Sequence, residues 1–315
     1  MSVQVTNAAR RRAPWINAAS WVNTDESQIS AADALTNANL DWTVEHTPIF
    51  ANHNGNAIAI ENKSATTRIN KDGSASVLGI TSPTYSIVQN QDIVEMIDAV
   101  TYEAGATYVS AGELRGGRKI FLASKLPNTL NIGGIDPVDT YLMATNTHDG
   151  TDAFKFQLMQ LRLICTNGMM GYTTTSSISF RHTSGMNVKI EDVRATLKVT
   201  LKATEEFSAR AEELIAKPMA NSDFWTIVKD LLPVDEHNMT TRQIESVQDR
   251  RNTLLNIWNG PTQENIKGTA WGVVQAFAEY DQWAHTARSN DDSVRAAKFL
   301  LNQGQSLTER AYALV

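Results

Sequence analysis

The first third of the chain alternates. DWTVEHTPIF and AIAIEN place apolar side chains at every second position, and Asn54–Gly55 between them is a strong two-residue hairpin signal. TTRIN and SASVLGI repeat the pattern around Lys71–Asp72–Gly73. The period then changes. In YSIVQNQDIVEMIDAVTYEAG the residues Ile93, Met96, Ile97 and Val100 recur at helical spacing, which predicts a helix over 90–104 with Gly105 placed to end it. Two more hairpins follow: TYVSAGELRGGRKIFLASKL turns at Arg115–Gly116–Gly117, and TYLMATNTHDGTDAFKFQL turns at Asp149–Gly150. Pro137 falls in NIGGIDPVD, read as a connector where a break in pairing is harmless. LRLICTNGMM begins as a strand and can run on into a short helix, against which Gly168 counts; SISFRHTSG reads as a strand or a loop.

The last third is helical. Ile190, Val193, Leu197, Leu201, Phe207, Ala211 and Leu214 form one apolar stripe that ends before Lys217–Pro218. A second helix is predicted from Asn221 to Pro233. Thr240 with Gln243 is a capping-box pattern for a third, stopped by Gly260–Pro261. A fourth runs through NIKGTAWGVVQAFAEYDQWAHTA, a fifth starts near Asn290, and Ser306 with Glu309 caps one more. Strands and helices do not alternate, so the expected class is α+β: antiparallel hairpins packed on a helix, then a C-terminal helical region. The expected divisions are 1–75, 76–188 and 189–315.

Composition changes this picture little. The 315 residues are enough for one large domain or two smaller ones. The single cysteine, Cys165, allows no intramolecular disulfide, which suits a reducing cytoplasm. Arg10–Arg12 precede no apolar run, so neither a secretory signal nor a membrane span is expected. The formal net charge of −6 counts against a nucleic-acid binder, unless binding uses a local basic strip.

Nucleotide and metal motifs are missing. There is no G-x-x-x-x-G-K-[ST], no strand-borne G-x-G-x-x-G, no H-E-x-x-H and no cysteine pair, so no cofactor is expected. Met169–Met170 beside Cys165 reads as core filler before it reads as a soft-metal site. Asp136, Asp139, Asp149 and Asp152 with Lys155 could supply a metal-dependent nuclease, although aspartates beside Gly or Pro are common for turn reasons alone. In NTHDG the same choice arises. Asp149–Gly150 supplies the positive-φ positions of a turn, while Asn146 and His148 could project toward a phosphate or a base edge.

A basic strip is the firmer candidate. RGGRKIFLASK carries Arg115, Arg118, Lys119 and Lys125 with no acid between them and Phe121 interleaved. Lys155, Arg162, Arg181, His182 and Lys189 come from the elements that follow. On one sheet they could line a groove that tracks a single strand without reading its sequence. The plainer reading is a solvated hairpin face whose lysines discourage edge pairing. Trp271, Phe277, Tyr280 and Trp283 share one helix and are expected mainly in the core.

Taken in order, LDWTVEHTPIF, SVLGITSPTYSIVQNQD, AGELRGGRKIFLASKLP, YLMATNTHDG, LRLICTNGM, FRHT and GTAWGVVQAFAEYDQW resemble the "phage/plasmid-like protein" family, from about Trp15 to about His285. That family reads Asn-Thr-Leu after the cysteine, where this chain has Thr166–Asn167–Gly168–Met169, with the Arg162, Cys165 and Asn167 positions kept. The resemblance implies a mobile-element protein in a bacterial cytoplasm. Helix, hairpin, further antiparallel strands and a long helix are also the element order of phage single-strand annealing proteins of the Red-beta, Erf and Sak type. The expected function is therefore single-stranded DNA binding and annealing by a ring or filament of identical subunits. Its site would use Arg115, Arg118, Lys119, Lys125, Asn146, His148, Lys155, Arg162, Asn167, Arg181 and His182. A metal-dependent nuclease and a non-enzymatic inhibitor of a host protein are the alternatives; a large exposed apolar patch would mark the second.

Overall fold

A computed structural model describes residues 13, 15–25, 27–163, 168–170, 177–180, 190–284, 300 and 306–315. Strands β2 (Thr43–His53), β3 (Asn56–Ile69) and β4 (Ala75–Thr81) form a three-stranded antiparallel sheet in that order. Asn54 (φ 50°) and Gly55 (φ 84°) close its first hairpin in the left-handed region, as that pair of residues favours. AIAIEN and TTRIN are one continuous strand, bulged opposite Ile49. The small sheet takes its last strand from Ala75–Thr81, across the division expected at residue 75.

A seven-stranded sheet holds the rest of the β-structure. Its order is β1 (Ala19–Val22), β5 (Thr107–Leu114), β6 (Lys119–Ile132), β7 (Asp136–Thr147), β8 (Phe154–Arg162) and β10 (Ser177–Phe180), with β9 (Gly168–Met170) also on β8. Every pairing is antiparallel. GMM is thus a strand and no helix starts there. Pro137 lies inside β7 opposite Asn131, so the connector is shorter than expected. A proline is tolerated near a strand's first residue, and here its carbonyl still accepts the Leu163 amide at 2.9 Å.

Two helices cover one face of this sheet. α1 (Ala31–Asn37) was not expected from the alternating pattern; Ser30 and Asp33 form a capping box that starts it, and Ala31, Ala34 and Leu35 are buried. α2 (Val94–Glu103) begins four residues later than the pattern suggests, because Asp92 accepts from the Gln89 amide of the preceding loop and Asn90 donates to the Leu40 carbonyl ahead of β2. Gly105 (φ 62°) ends it as expected. Ile97, Val100, Ile120, Leu122, Leu142, Ala144 and Phe156 build the core between these helices and the sheet.

The helical region follows as α3 (Ile190–Ala216), α4 (Asn221–Leu231), α5 (Thr241–Trp258), α6 (Ala270–Glu279) and α7 (Leu307–Leu314). The expected capping box of α5 and the Ser306 cap of α7 are both present. Phe224 stacks on Trp258 with centroids 4.5 Å apart, and Trp271, Phe277 and Tyr280 are core residues around them. The helix expected near Asn290 lies outside the described residues. Among the described residues no helix is long and apolar enough to cross a membrane. The class is α+β, with the helices mainly C-terminal.

Candidate nucleic-acid interface

Alternation along β6, β7 and β8 decides where the candidate residues point. Register places Lys119 beside Thr147, Lys155 beside Thr145, and Lys125 beside Tyr141, all on one face. Asn146 beside Ile120, and Arg162 beside Val138, belong to the other. The strip read from sequence is therefore split between two faces of one sheet.

Most of its members are also committed inside the protein. Lys119 is 3% exposed and bonds Asp152 at 3.0 Å; Lys155 meets the other oxygen of the same carboxylate at 2.5 Å. Lys125 pairs with Asp139 at 2.7 Å. On the far face Arg162 is buried against Asp136, its Nε within 2.7 and 2.8 Å of the two carboxylate oxygens, and Nη1 donates to the Thr262 carbonyl at 2.6 Å. Trp271 Nε1 donates to the same Asp136 at 2.7 Å. That network ties β7 and β8 to the C-terminal helices; its place is between layers, away from solvent. Asn167, Arg181 and His182 lie outside the described residues.

NTHDG proves to be neither a projecting site nor a two-residue turn. Six residues, 148–153, join β7 to β8, and only Gly150 (φ 75°) of the Asp149–Gly150 pair has positive φ. Asp149 accepts from the Thr151 amide and hydroxyl at 3.0 and 2.6 Å, which holds the loop. Asn146 and His148 are buried and face inward. His148 Nε2 lies 2.8 Å from Asn90 Oδ1, Asn90 donates to the Leu40 carbonyl at 2.7 Å, and Asn146 donates to the Val88 carbonyl at 3.0 Å. Tyr85 adds a bond from its hydroxyl to the Thr147 carbonyl at 2.8 Å. The motif staples residues 85–90 and the entry to the small sheet onto the end of β7.

The turn between β5 and β6 is different. Arg115 (φ 55°), Gly116 (φ 67°) and Gly117 (φ 85°) run consecutively in the left-handed region. A side chain on Gly117 would sit 3.0 Å from Arg68 Nη1 and 3.4 Å from the Trp42 ring, so glycine is required there for close approach as well. Arg68 stacks over Trp42 at 4.5 Å and pairs with Glu113 at 2.7 Å, which braces the base of the turn. Sequence reading missed this brace, because its three members lie far apart along the chain. Above it Arg115 and Arg118 are exposed, and their side chains make no ion pair or hydrogen bond among the described residues.

The four aspartates considered for metal chemistry do not converge. Asp136 belongs to the Arg162 network, Asp139 to Lys125 and Thr129, Asp152 to two lysines, and Asp149 to its own loop. Among the described residues no group of three or more His, Cys, Asp or Glu side chains is placed to hold a metal ion.

The Lys119–Asp152–Lys155 group carries a pH signature. Burial pushes the Lys119 ammonium down, and the bond to Asp152 recovers only part of that. Burial also works against the Asp152 carboxylate, but hydrogen bonds from Lys155 and Lys119 outweigh it and hold the carboxyl below its usual range. A depressed carboxylate contributes stability that is full above its unfolded value near ~3.9 and is lost as pH falls through the folded value. Asp152→Asn is therefore expected to melt below wild type at neutral pH, with the gap closing as pH drops from about 5. Thermal melts of both proteins along a pH series check this; a gap constant down to acid would contradict it.

Residues 77–301 match the family model described as a domain of unknown function (DUF932). No curated protein and no solved structure matches the chain.

Proposed function

We propose that the chain, which belongs to the DUF932 family, binds single-stranded DNA through the turn between β5 and β6 and works as an assembly of identical copies that promotes annealing. The observation that carries this reading is the turn itself. Two guanidinium groups, Arg115 and Arg118, stand exposed on a backbone fixed by three successive positive-φ residues, with no ion pair to an acid among the described residues. Phosphate is the chemistry such a pair accepts, since guanidinium bonds it in a planar, bidentate fashion. Two contacts per copy are few. Strong binding then requires many copies on one strand, where each engagement raises the effective concentration of the next. The resemblance to mobile-element proteins, with a bacterial cytoplasm as the working compartment, belongs to the same proposal.

Arg115→Ala with Arg118→Ala tests it. Removing two phosphate contacts should lower affinity for a single-stranded oligonucleotide and reduce the salt slope by about 1.4, at roughly 0.7 per contact. Lys125→Ala, whose ammonium is held by Asp139, should change neither. A salt titration by fluorescence anisotropy reads both quantities. An unchanged slope removes the turn from the site, and no binding by the wild type at low salt ends the proposal.

A further inference from the structure

The long strands β6 and β7 fall out of step at one place. Lys125 pairs with Tyr141 and Thr129 with Asp139, so Leu126, Pro127 and Asn128 all stand opposite Thr140 alone. Pro127 has no amide hydrogen to give to the ladder, which suits a bulge, and bulges bend a strand and recur beside active sites. Here the bulge borders a cavity of about 610 Å³, closed on its other sides by α3 and by Ala104 at the end of α2. That size lies within the ~300–1,000 Å³ of small-molecule sites. Leu126, Pro127 and Leu130 make its sheet side apolar. Thr140 also lines it; the residue is 1% exposed, and its hydroxyl has no hydrogen-bond partner among the described residues. Buried hydroxyls nearly always have one, so this side of the cavity lacks a polar neighbour.

One face of α3 makes the opposite wall: Leu201, Thr204, Glu205, Ser208, Ala209 and Glu212, at helical spacing. The acids of this stretch fall into two pairs. Glu206 and Glu213 do not line the cavity and are neutralised, by Lys202 at 3.6 Å and Arg210 at 2.8 Å. Glu205 and Glu212 do line it, and neither has an ion pair among the described residues. Glu212 accepts from the Gly133 amide at 2.9 Å, which fixes its carboxylate without neutralising it. No lysine, arginine or histidine is among the lining residues. The C-terminal end of α2 at Ala104 adds the negative pole of its dipole. The cavity is thus apolar along the sheet and anionic at two points of α3, seven residues or about 10 Å apart.

We propose that this cavity binds an aliphatic diamine, with one ammonium at Glu205, the other at Glu212, and the methylene chain on Leu126, Pro127, Leu130 and Leu201. Charge selects the class. An anion would meet two carboxylates, and a neutral chain would leave both without a counter-charge. Ammonium groups are donors only, which is what two carboxylates and an unpartnered hydroxyl oxygen can accept from. Leu201, 43% exposed, gains cover from the chain. The site shares no residue with the DNA-binding turn, so the two readings stand or fall separately.

Isothermal titration calorimetry of the full chain with 1,8-diaminooctane, whose extended chain has about this reach, is expected to show one saturable site. 1-Aminooctane, with the same chain and a single charge, should bind at least about fivefold more weakly, and octanoate should not bind. Glu205→Gln with Glu212→Gln should weaken the diamine about tenfold, as the loss of two partly exposed ion pairs allows. The melt should hold, since the amide that replaces the Glu212 carboxylate still accepts from Gly133. Glu206→Gln with Glu213→Gln removes the same charge outside the cavity and should leave the affinity as it was. Ala209→Trp, at an exposed position of α3, should fill the cavity and abolish binding in a folded protein. Glu205→Gln alone guards against misfolding of the other variants and should weaken binding in the same direction. A wild type that does not bind the diamine overturns the proposal. So does equal weakening by the two double variants, which would mean loose attraction to an acidic protein, or 1-aminooctane binding as tightly as the diamine.

Discussion

Arg162→Ala is expected to destabilise the fold by about 3–5 kcal/mol, the cost of breaking a buried ion pair from one side. Arg162 and Asp136 are 1% and 0% exposed, and the guanidinium supplies two contacts to the carboxylate and one to the Thr262 carbonyl. Without it Asp136 keeps, among the described residues, the Trp271 indole as a donor and loses its counter-charge in a buried layer. Asp136→Ala should be as damaging, for the mirror-image reason. Replacing both partners, Arg162→Met with Asp136→Leu, should recover much of the loss, because no charge then needs burial. The recovery stays incomplete, since the indole N–H and the Thr262 carbonyl lose partners at roughly 1–3 kcal/mol each. Urea midpoints of the four proteins decide the matter. A double variant no better than either single one would show that the network holds the layers by something other than paired charge.

That network shows where sequence reading stopped. Local signals were legible: Asn54–Gly55 closes a hairpin, Thr240 and Gln243 cap a helix, and Arg115–Gly117 turns in the left-handed region. Each depends on backbone chemistry within a few residues. What a cation does depends on partners that only the folded topology supplies. Lys119 finds its acid 33 residues away and Arg162 finds its own 26 residues back, across strands whose register no local pattern announces. A run of bases without intervening acids thus looked like a strip, while Lys119 and Lys125 were taken up by Asp152 and Asp139 on one face and Arg162 by Asp136 on the other. The exposed pair at the turn survived because a tight turn keeps its side chains in solvent wherever the strands go. α1 was missed because its short apolar stretch sits in a region dominated by period two, and its cap, Ser30 with Asp33, was the signal available.

His148→Ala is expected to cost about 2–3 kcal/mol, a buried polar partner lost together with packing. The ring is 1% exposed and sits edge-on to Trp42 with centroids 5.1 Å apart, while its Nε2 meets Asn90. Removing it leaves the Asn90 carbonyl oxygen unsatisfied in a site closed to water. Asn90→Ala should cost as much or more, because its amide also holds the Leu40 carbonyl at the entrance to the small sheet. If the two act as one staple, the double variant will cost less than the sum of the singles, with a coupling of roughly 0.5–3 kcal/mol. Limited proteolysis gives an independent reading: loosening the staple should expose cleavage within residues 82–92 before the body unfolds. The alternative, a histidine reserved for ligand, predicts a different pattern. His148→Ala would then melt like wild type and resist protease, with its loss confined to affinity for single-stranded DNA.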